Sequence, residues 1–155
     1  MGDWNNRWSG KFYEQQVTEI KRLLEKFVRE NTEVDVEQYL RLCEQLGKEP
    51  DPTKMPLSSS DFPEEVQVAF FIFSVMTDRW DGTSGMYLGK DWNNLDYIFE
   101  LYEIDERKEM FFYLKMYENI VVVYKAEEAE KKRKAEERRR NSAGGGKNYT
   151  HNVRG

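Results

Sequence analysis

The spacing of apolar residues along the first third of the chain predicts two amphipathic helices. Over residues 11–29 an apolar side chain recurs at every third or fourth position, which places these side chains on one helical face. They are Phe12, Val17, Ile20, Leu23, Leu24, Phe27 and Val28. A second helix is predicted over residues 36–46, because Asp35 is a suitable cap and Gly47 can take the left-handed conformation that ends a helix. A linker rich in proline and serine follows.

A third helix is predicted to begin after Asp61. Pro63 is tolerated in a first helical turn, and the two glutamates that follow it complement the helix dipole. The segment is apolar almost all round, which is typical of a helix buried on most sides. A strand over residues 68–75 is the alternative interpretation, because β-branched and aromatic residues are frequent there. The Pro-Glu-Glu opening favours the helix.

Residues 77–91 contain three glycines and predict an irregular loop. A fourth helix is predicted over residues 92–102, with Asp91 as its cap. A fifth helix is predicted to follow Asp105 and to carry an apolar stripe as far as Tyr124. The chain is therefore predicted to be all-α, with about five helices in one compact domain.

The apolar stripe ends at Tyr124, and residues 125–140 consist only of Ala, Glu, Lys and Arg. These residue types form helices well, so we expect the fifth helix to continue into solvent as a charged extension. Residues 141–155 begin with Asn-Ser-Ala and three glycines, which predicts a disordered tail. The predicted organisation is a helical body over residues 1–124, the extension over 125–140 and the tail over 141–155.

The charge of the chain is unevenly distributed. The net charge is −5, yet residues 125–155 hold ten basic and five acidic residues, so this end carries +5 and the body −10. An acidic body repels a phosphate backbone, so only the extension is a candidate for nucleic-acid binding. The candidate residues are Lys131, Lys132, Arg133, Lys134, Arg138, Arg139 and Arg140. A solvated charged helix and a helix that contacts a partner are the alternatives.

The residue types needed for most catalytic and metal sites are scarce. Cys43 and His151 are the only cysteine and histidine, which excludes an intramolecular disulfide and a zinc site with Cys/His spacing. A Ser-His-Asp or Cys-His centre needs His151 held rigidly, and this residue lies in the predicted disordered tail. Asp78, Asp81 and Asp91 do not follow the calcium-loop pattern and are interpreted as loop and cap carboxylates. We therefore expect neither enzymatic activity nor a cofactor.

No segment has the length expected of a membrane span. The longest apolar stretch, residues 66–76, is interrupted by Gln67 and Ser74 and is shorter than the roughly 20 residues that a span needs. The first residues also lack the basic and apolar regions of a secretory signal. A cytoplasmic protein without membrane contact is expected.

The glycine-containing segment of residues 78–92 holds the best candidates for partner binding. They are Arg79, Trp80, Tyr87, Lys90 and Trp92, whose residue types are enriched among the residues that dominate binding energy at interfaces. The alternative is that the rings fold back onto the core and the loop is structural. The segment 85–90 does not match a phosphate loop, because only three residues separate its glycines and Asp91 follows the lysine. Trp4 and Trp8 either dock on the core or bind a partner.

Three segments of the chain resemble small proteins of large contractile-tailed phages. These segments are residues 61–71 (DFPEEVQVAFF), 78–82 (DRWDG) and 87–92 (YLGKDW), and the resemblance covers roughly residues 61–120. It implies an accessory or assembly factor, acting in the host cytoplasm, and supplies no catalytic residues. We therefore expect a non-catalytic protein-binding factor that acts through residues 78–92. The alternative is a nucleic-acid-associated accessory protein that uses the basic extension.

Overall fold

The computed structural model describes residues 11–30 and 36–144, and the side chains of residues 13–30 and 36–142. These parts of the chain form five α-helices and one two-stranded antiparallel sheet. The helices are α1 (Lys11–Glu30), α2 (Val36–Gln45), α3 (Glu64–Val75), α4 (Leu95–Leu101) and α5 (Arg107–Gly144). The strands are β1 (Asp78–Trp80) and β2 (Tyr87–Lys90), and a short 3₁₀ turn, Ser59–Asp61, precedes α3.

The long helix α5 is the element on which α1, α3 and β2 pack. The core lies between these elements and includes Leu24 of α1, Val66 and Ile72 of α3, and Leu114 of α5, all at most 1% exposed. The predicted apolar face of α1 is confirmed, because its central members are buried. The helical prediction for residues 68–75 is also confirmed, and the alternative strand is wrong.

The predicted all-α class is confirmed for the helical body and wrong for residues 77–91. Instead of an irregular loop, these residues form a hairpin in which Asp78 pairs with Lys90 and Trp80 with Tyr87. The turn is held by Asp81, whose carboxylate accepts the backbone N–H groups of Thr83 and Ser84. Aspartate commonly makes such turns by accepting backbone N–H groups two and three residues ahead.

The boundaries of α4 and α5 differ from the prediction. Asp91 does not cap α4, because the helix begins only at Leu95 and Asn94 directly precedes it. The Asp91 carboxylate accepts the N–H of Asn93 at 3.0 Å in the turn before the helix. Helix α5 begins two residues after the predicted cap Asp105 and continues to Gly144. The helix thus extends beyond the predicted end of the charged extension, and residues 145–155 of the predicted tail lie outside the described residues.

Helix α2 differs from the prediction in its burial. The spacing of its apolar residues predicts an inner stripe of Val36, Tyr39, Leu40, Cys43 and Leu46. Only Cys43 of these is buried, whereas Leu40 and Leu46 are 40% and 59% exposed. The hydroxyl of Tyr39 instead contacts the backbone N–H and carbonyl of Asp51, at 3.1 and 3.3 Å. The amphipathic pattern therefore predicted the helix correctly but not the packing of its apolar face.

The charged extension contacts the body through its first turns and is exposed beyond them. Residues 129–142 of α5 are exposed, and the ion pair between Arg29 and Glu127 (2.9 Å) lies between two exposed side chains. No helix in the described part of the chain is long and apolar enough to cross a membrane.

A chain that ends at Ala126 is expected to keep its fold. The deleted part contributes no buried apolar side chain within the described residues, so the melting temperature should fall by no more than about 3 °C. Thermal denaturation followed by circular dichroism measures this change. A chain that ends at Asn119 is the control, because it also loses the buried Val121 and should melt much lower. A large loss for the longer chain would contradict the domain boundary at residue 124.

Candidate functional site

The hairpin is attached to α5 through one buried carboxylate, that of Glu118. Its Oε1 accepts the backbone N–H of Lys90 at 2.7 Å and the indole N–H of Trp92 at 2.9 Å. Its Oε2 accepts a hydrogen bond from Nζ of Lys115 at 2.6 Å. Glu118 is only 5% exposed, so these donors replace the water that the carboxylate loses on burial.

The pKa of Glu118 is lowered from its ordinary value. Burial alone raises this pKa, but the hydrogen bonds from Lys115, the Lys90 backbone and Trp92 outweigh it. The sequence interpretation missed this residue. A signal was present, because Glu118 lies four residues after Leu114 and three before Val121 and so shares the inner face of α5.

Gly89 allows the close approach between the hairpin and Glu118. Its φ is +101°, a conformation that residues with a side chain rarely adopt. A Cβ atom at this position would also lie 2.8 Å from Cδ of Glu118. The backbone of β2 can therefore contact the carboxylate only because residue 89 is a glycine.

Lys90 and Tyr87, two of the predicted partner-binding residues, are buried inside the hairpin. Nζ of Lys90 lies 2.8 Å from Oδ1 of Asp78 and 3.1 Å from the carbonyl oxygen of Met76. The hydroxyl of Tyr87 donates to the same Asp78 oxygen at 3.0 Å.

Burial and the neighbouring Asp78 raise the pKa of Tyr87. The pKa of Asp78 is lowered: burial acts against this shift, and the hydrogen bonds from Lys90 and Tyr87 outweigh it. The side chains of Lys90 and Tyr87 thus help to hold the hairpin together, and neither is an exposed binding residue.

Trp92, a third predicted binding residue, is also used within the fold. In addition to the bond to Glu118, its ring packs edge-on against Phe111 with a centroid separation of 5.4 Å. Nζ of Lys115 lies 4.3 Å from the Trp92 ring centroid. Trp92 is half-buried, and its role is to dock the segment after β2 onto α5.

Arg79 and Trp80 are the two predicted binding residues that are exposed. Trp80 is 55% exposed, and Met86 and Leu88 of the same hairpin are 47% and 51% exposed. The Trp80 ring contacts Tyr87 edge-on, with a centroid separation of 5.0 Å. A firmly attached hairpin therefore presents a tryptophan and two further apolar side chains at the surface.

A small cavity of about 240 Å³ lies between the hairpin and α5, and we call it the hairpin groove. It is lined by Trp80, Gly85, Met86, Tyr87, Lys125, Ala126, Glu128, Ala129 and Lys132. Nζ of Lys125 lies 4.0 Å from the Tyr87 ring centroid and 5.0 Å from that of Trp80. The groove thus joins an aromatic wall to the first turns of the charged extension.

The seven basic residues proposed for nucleic-acid binding are all exposed on α5. Lys131 pairs with Glu128 at 2.8 Å, and Lys134 pairs with Glu130 at 2.7 Å. The other five form no ion pair with any part of the chain that the structure describes. These five are Lys132, Arg133, Arg138, Arg139 and Arg140.

Two larger cavities lie elsewhere on the surface, and neither is lined by the exposed Trp80. One of about 730 Å³ lies between α4 and the start of α5, and one of about 450 Å³ lies between α1 and α5. The first is lined by three basic side chains: Lys115 is bound to Glu118, Arg107 lies 4.0 Å from Asp96, and Lys108 forms no ion pair with the described residues. The hairpin groove combines an exposed tryptophan with a basic side chain, Lys132, that has no described ion-pair partner.

The remaining candidates for metal binding form no cluster within the part of the chain that the structure describes. Cys43 is buried on α2, and the described residues contain no group of three His, Cys, Asp or Glu side chains that could hold a metal ion. The loop carboxylates accept the hydrogen bonds given above. His151, Trp4 and Trp8 lie outside the described residues.

Comparisons of the chain with models of protein families, with curated proteins and with solved structures found no match.

Proposed function

We propose that this protein is a non-catalytic protein-binding factor whose partner docks at the hairpin groove. The observation that carries the proposal is the exposure of Trp80, at 55%, on a hairpin that Glu118 attaches to α5. Tryptophan is among the residues that contribute most to binding when a partner covers them. A preorganised side chain also loses little conformational entropy on binding, which favours affinity.

The surroundings of Trp80 support binding rather than chemistry. The lining of the groove is mostly aromatic, alanine and methionine side chains, and its one carboxylate, Glu128, pairs with Lys131. Met86, which is 47% exposed, lines the groove beside Trp80. The resemblance of residues 61–120 to small proteins of contractile-tailed phages supports a role as an assembly or accessory factor in the host cytoplasm.

Nucleic-acid binding through the extension is the second candidate function. The observation in its favour is that five of the seven basic residues have no ion-pair partner among the described residues. Such side chains can neutralise phosphates, and the resulting affinity falls steeply as salt concentration rises. An interface centred on Trp80 should depend on salt much less, which distinguishes the two functions.

Replacing Trp80 with alanine is expected to weaken partner binding by roughly 2 kcal/mol or more, because the variant loses the central aromatic contact. The folded chain should lose only about 1 kcal/mol of stability, because the side chain is more than half exposed. The wild type and the variant are compared by quantitative capture from an extract of the native host, with mass spectrometry, and by thermal denaturation.

Tyr97→Ala is the matched control, because Tyr97 is an aromatic residue of α4 that is 66% exposed. Proteins that bind the groove should be captured by the wild type and the Tyr97 variant, and lost with the Trp80 variant. Equal capture by all three chains would contradict the proposed site. A large fall in the melting temperature of the Trp80 variant would show that Trp80 belongs to the core.

A further inference from the structure

We infer that the partner binds through an acidic segment, with an apolar side chain in the hairpin groove and carboxylates along one face of the α5 extension. This inference rests on the proposed function and names the chemistry of the partner. The hairpin groove and the basic extension were separate candidates in the sequence. The structure joins them, because Lys125 and Lys132 line the groove and also belong to the extension.

The basic side chains that continue from the groove lie on one face of α5. Lys125, Lys132 and Arg139 are spaced by seven residues, which is close to two helical turns, so they share this face. Arg133 and Arg140 flank it. We call these five residues the basic stripe. From Lys125 to Arg139 the stripe extends about 21 Å at the 1.5 Å rise of an α-helix.

The opposite face of the extension is electrically balanced. Its basic residues Lys131, Lys134 and Arg138 are matched by three glutamates, Glu127, Glu130 and Glu137. Two of these glutamates form ion pairs, Glu130 with Lys134 and Glu127 with Arg29. The basic stripe has five cations against Glu128, which pairs with Lys131, and Glu136. An anionic partner is therefore attracted to the stripe rather than to the other side of the helix.

The groove indicates an apolar anchor for this partner. Ala126 and Ala129 line it from α5, and Trp80 and Met86 line it from the hairpin. A volume of about 240 Å³ suits one or two aliphatic side chains better than a stack of bases. A cation, Nζ of Lys125, also already lies beside both rings, where a base would otherwise stack.

The spacing along the stripe favours a polypeptide with separate carboxylates. Lys132 lies about 10 Å from both Lys125 and Arg139 along the helix, and three residues of an extended chain span about the same distance. Glu136 lies between Lys132 and Arg139. The negative charge of Glu136 repels a continuous phosphate backbone that follows the stripe. Carboxylates placed at every third residue can contact Lys132 and Arg139 without lying beside Glu136.

The test uses the full chain and three fluorescent probes in an anisotropy titration. The first probe is an extended peptide with one leucine followed by a glutamate at every third position, separated by serine and glycine. The second has glutamine in place of each glutamate. The third is a ten-nucleotide oligothymidine. We expect the acidic peptide to bind roughly ten-fold more tightly than the glutamine peptide and more tightly than the oligonucleotide.

Two double variants with the same change in charge locate the binding. The double variant with Lys132→Glu and Arg139→Glu should bind the acidic peptide roughly ten-fold more weakly, because it reverses two charges of the stripe. Lys134→Glu with Arg138→Glu, on the opposite face, should change its affinity by less than about two-fold. Equal effects of the two variants, equal affinity for both peptides, or no measurable binding of the acidic peptide would overturn the inference. Tighter binding of the oligonucleotide would favour the nucleic-acid function instead.

The same variants separate this inference from the proposed function. If Trp80→Ala abolishes capture of a partner while the stripe variant does not, the docking site stands and the acidic partner is excluded. If neither change affects capture, both proposals fail.

Discussion

Replacing Glu118 with alanine is expected to destabilise the protein by about 3–4 kcal/mol, the largest effect of any substitution considered. The variant leaves the backbone N–H of Lys90 and the indole N–H of Trp92 without their acceptor in a largely buried place. Each unsatisfied donor costs about 1–3 kcal/mol. Urea denaturation, followed by circular dichroism, measures the change in the free energy of unfolding.

Two further variants show that the effect comes from these hydrogen bonds. Glu118→Gln keeps a carbonyl oxygen that can accept from both donors, so it should lose less stability than the alanine variant. Glu137→Ala removes an exposed glutamate of the same helix and should leave stability nearly unchanged. If Glu118→Ala were as stable as Glu137→Ala, the carboxylate would not attach the hairpin to α5.

The stability that Glu118 contributes should depend on pH in a defined direction. Because folding lowers its pKa below 4.5, the contribution is fully present above that value and is lost as the pH falls through the folded pKa. Asp78 has a shift of the same sign. The comparison with Glu118→Gln isolates the contribution of Glu118, and the wild type should lose more stability than this variant between pH 6 and about pH 3.

Replacing Gly89 with alanine is expected to cost about 3 kcal/mol of stability. The new side chain must take a positive φ and would approach Cδ of Glu118 to 2.8 Å. Either the hairpin or the carboxylate has to move, and the hydrogen bond between them is weakened. The free energy of unfolding is measured as for Glu118.

Gly82→Ala is the matched control within the same hairpin. A Cβ atom at Gly82 meets no other atom within 4 Å, and its φ is not positive. This variant should stay within about 1 kcal/mol of the wild type. Similar losses for the two variants would indicate that alanine disturbs the turn in general and not the approach to Glu118.

The helices could be predicted from the sequence because their apolar side chains follow the helical period. In α1 and α5 this period also identified the buried face, since other elements cover it. In α2 the same pattern did not identify a buried face. Amphipathicity does not show whether a neighbouring element exists to cover Leu40 and Leu46, and both are exposed. The start of α4 could not be predicted, because Asn94 precedes the helix without a side-chain cap hydrogen bond, whereas Asp91 is a residue type that commonly caps helices.

The hairpin could not be predicted because its stability is not local. Its strands have only three and four residues, too few for an alternating pattern. They are held by Glu118, which follows Lys90 by 28 positions in the chain. The sequence identified the segment by its glycines and aromatic residues, but only the fold separates the exposed Trp80 from the buried Tyr87 and Lys90.

The basic extension was predictable as a helix and as a charged surface. Composition alone treated its seven basic residues as equivalent. The helical period separates the basic stripe from the balanced face, and the contacts of Lys125 connect the stripe to the groove. The combined surface therefore required both the sequence period and the position of the hairpin.

Solvent exchange of the tryptophan indole protons, measured by NMR, tests most directly whether a firmly attached hairpin exposes Trp80. The signals are assigned with Trp80→Phe and Trp92→Phe variants. The indole N–H of Trp92 donates to the buried Glu118, whereas that of Trp80 has no acceptor among the described residues. We expect the Trp92 proton to exchange at least about ten-fold more slowly than the Trp80 proton. If Trp80 exchanged as slowly as Trp92, its ring would be covered in the free protein, and the proposed docking site would be contradicted.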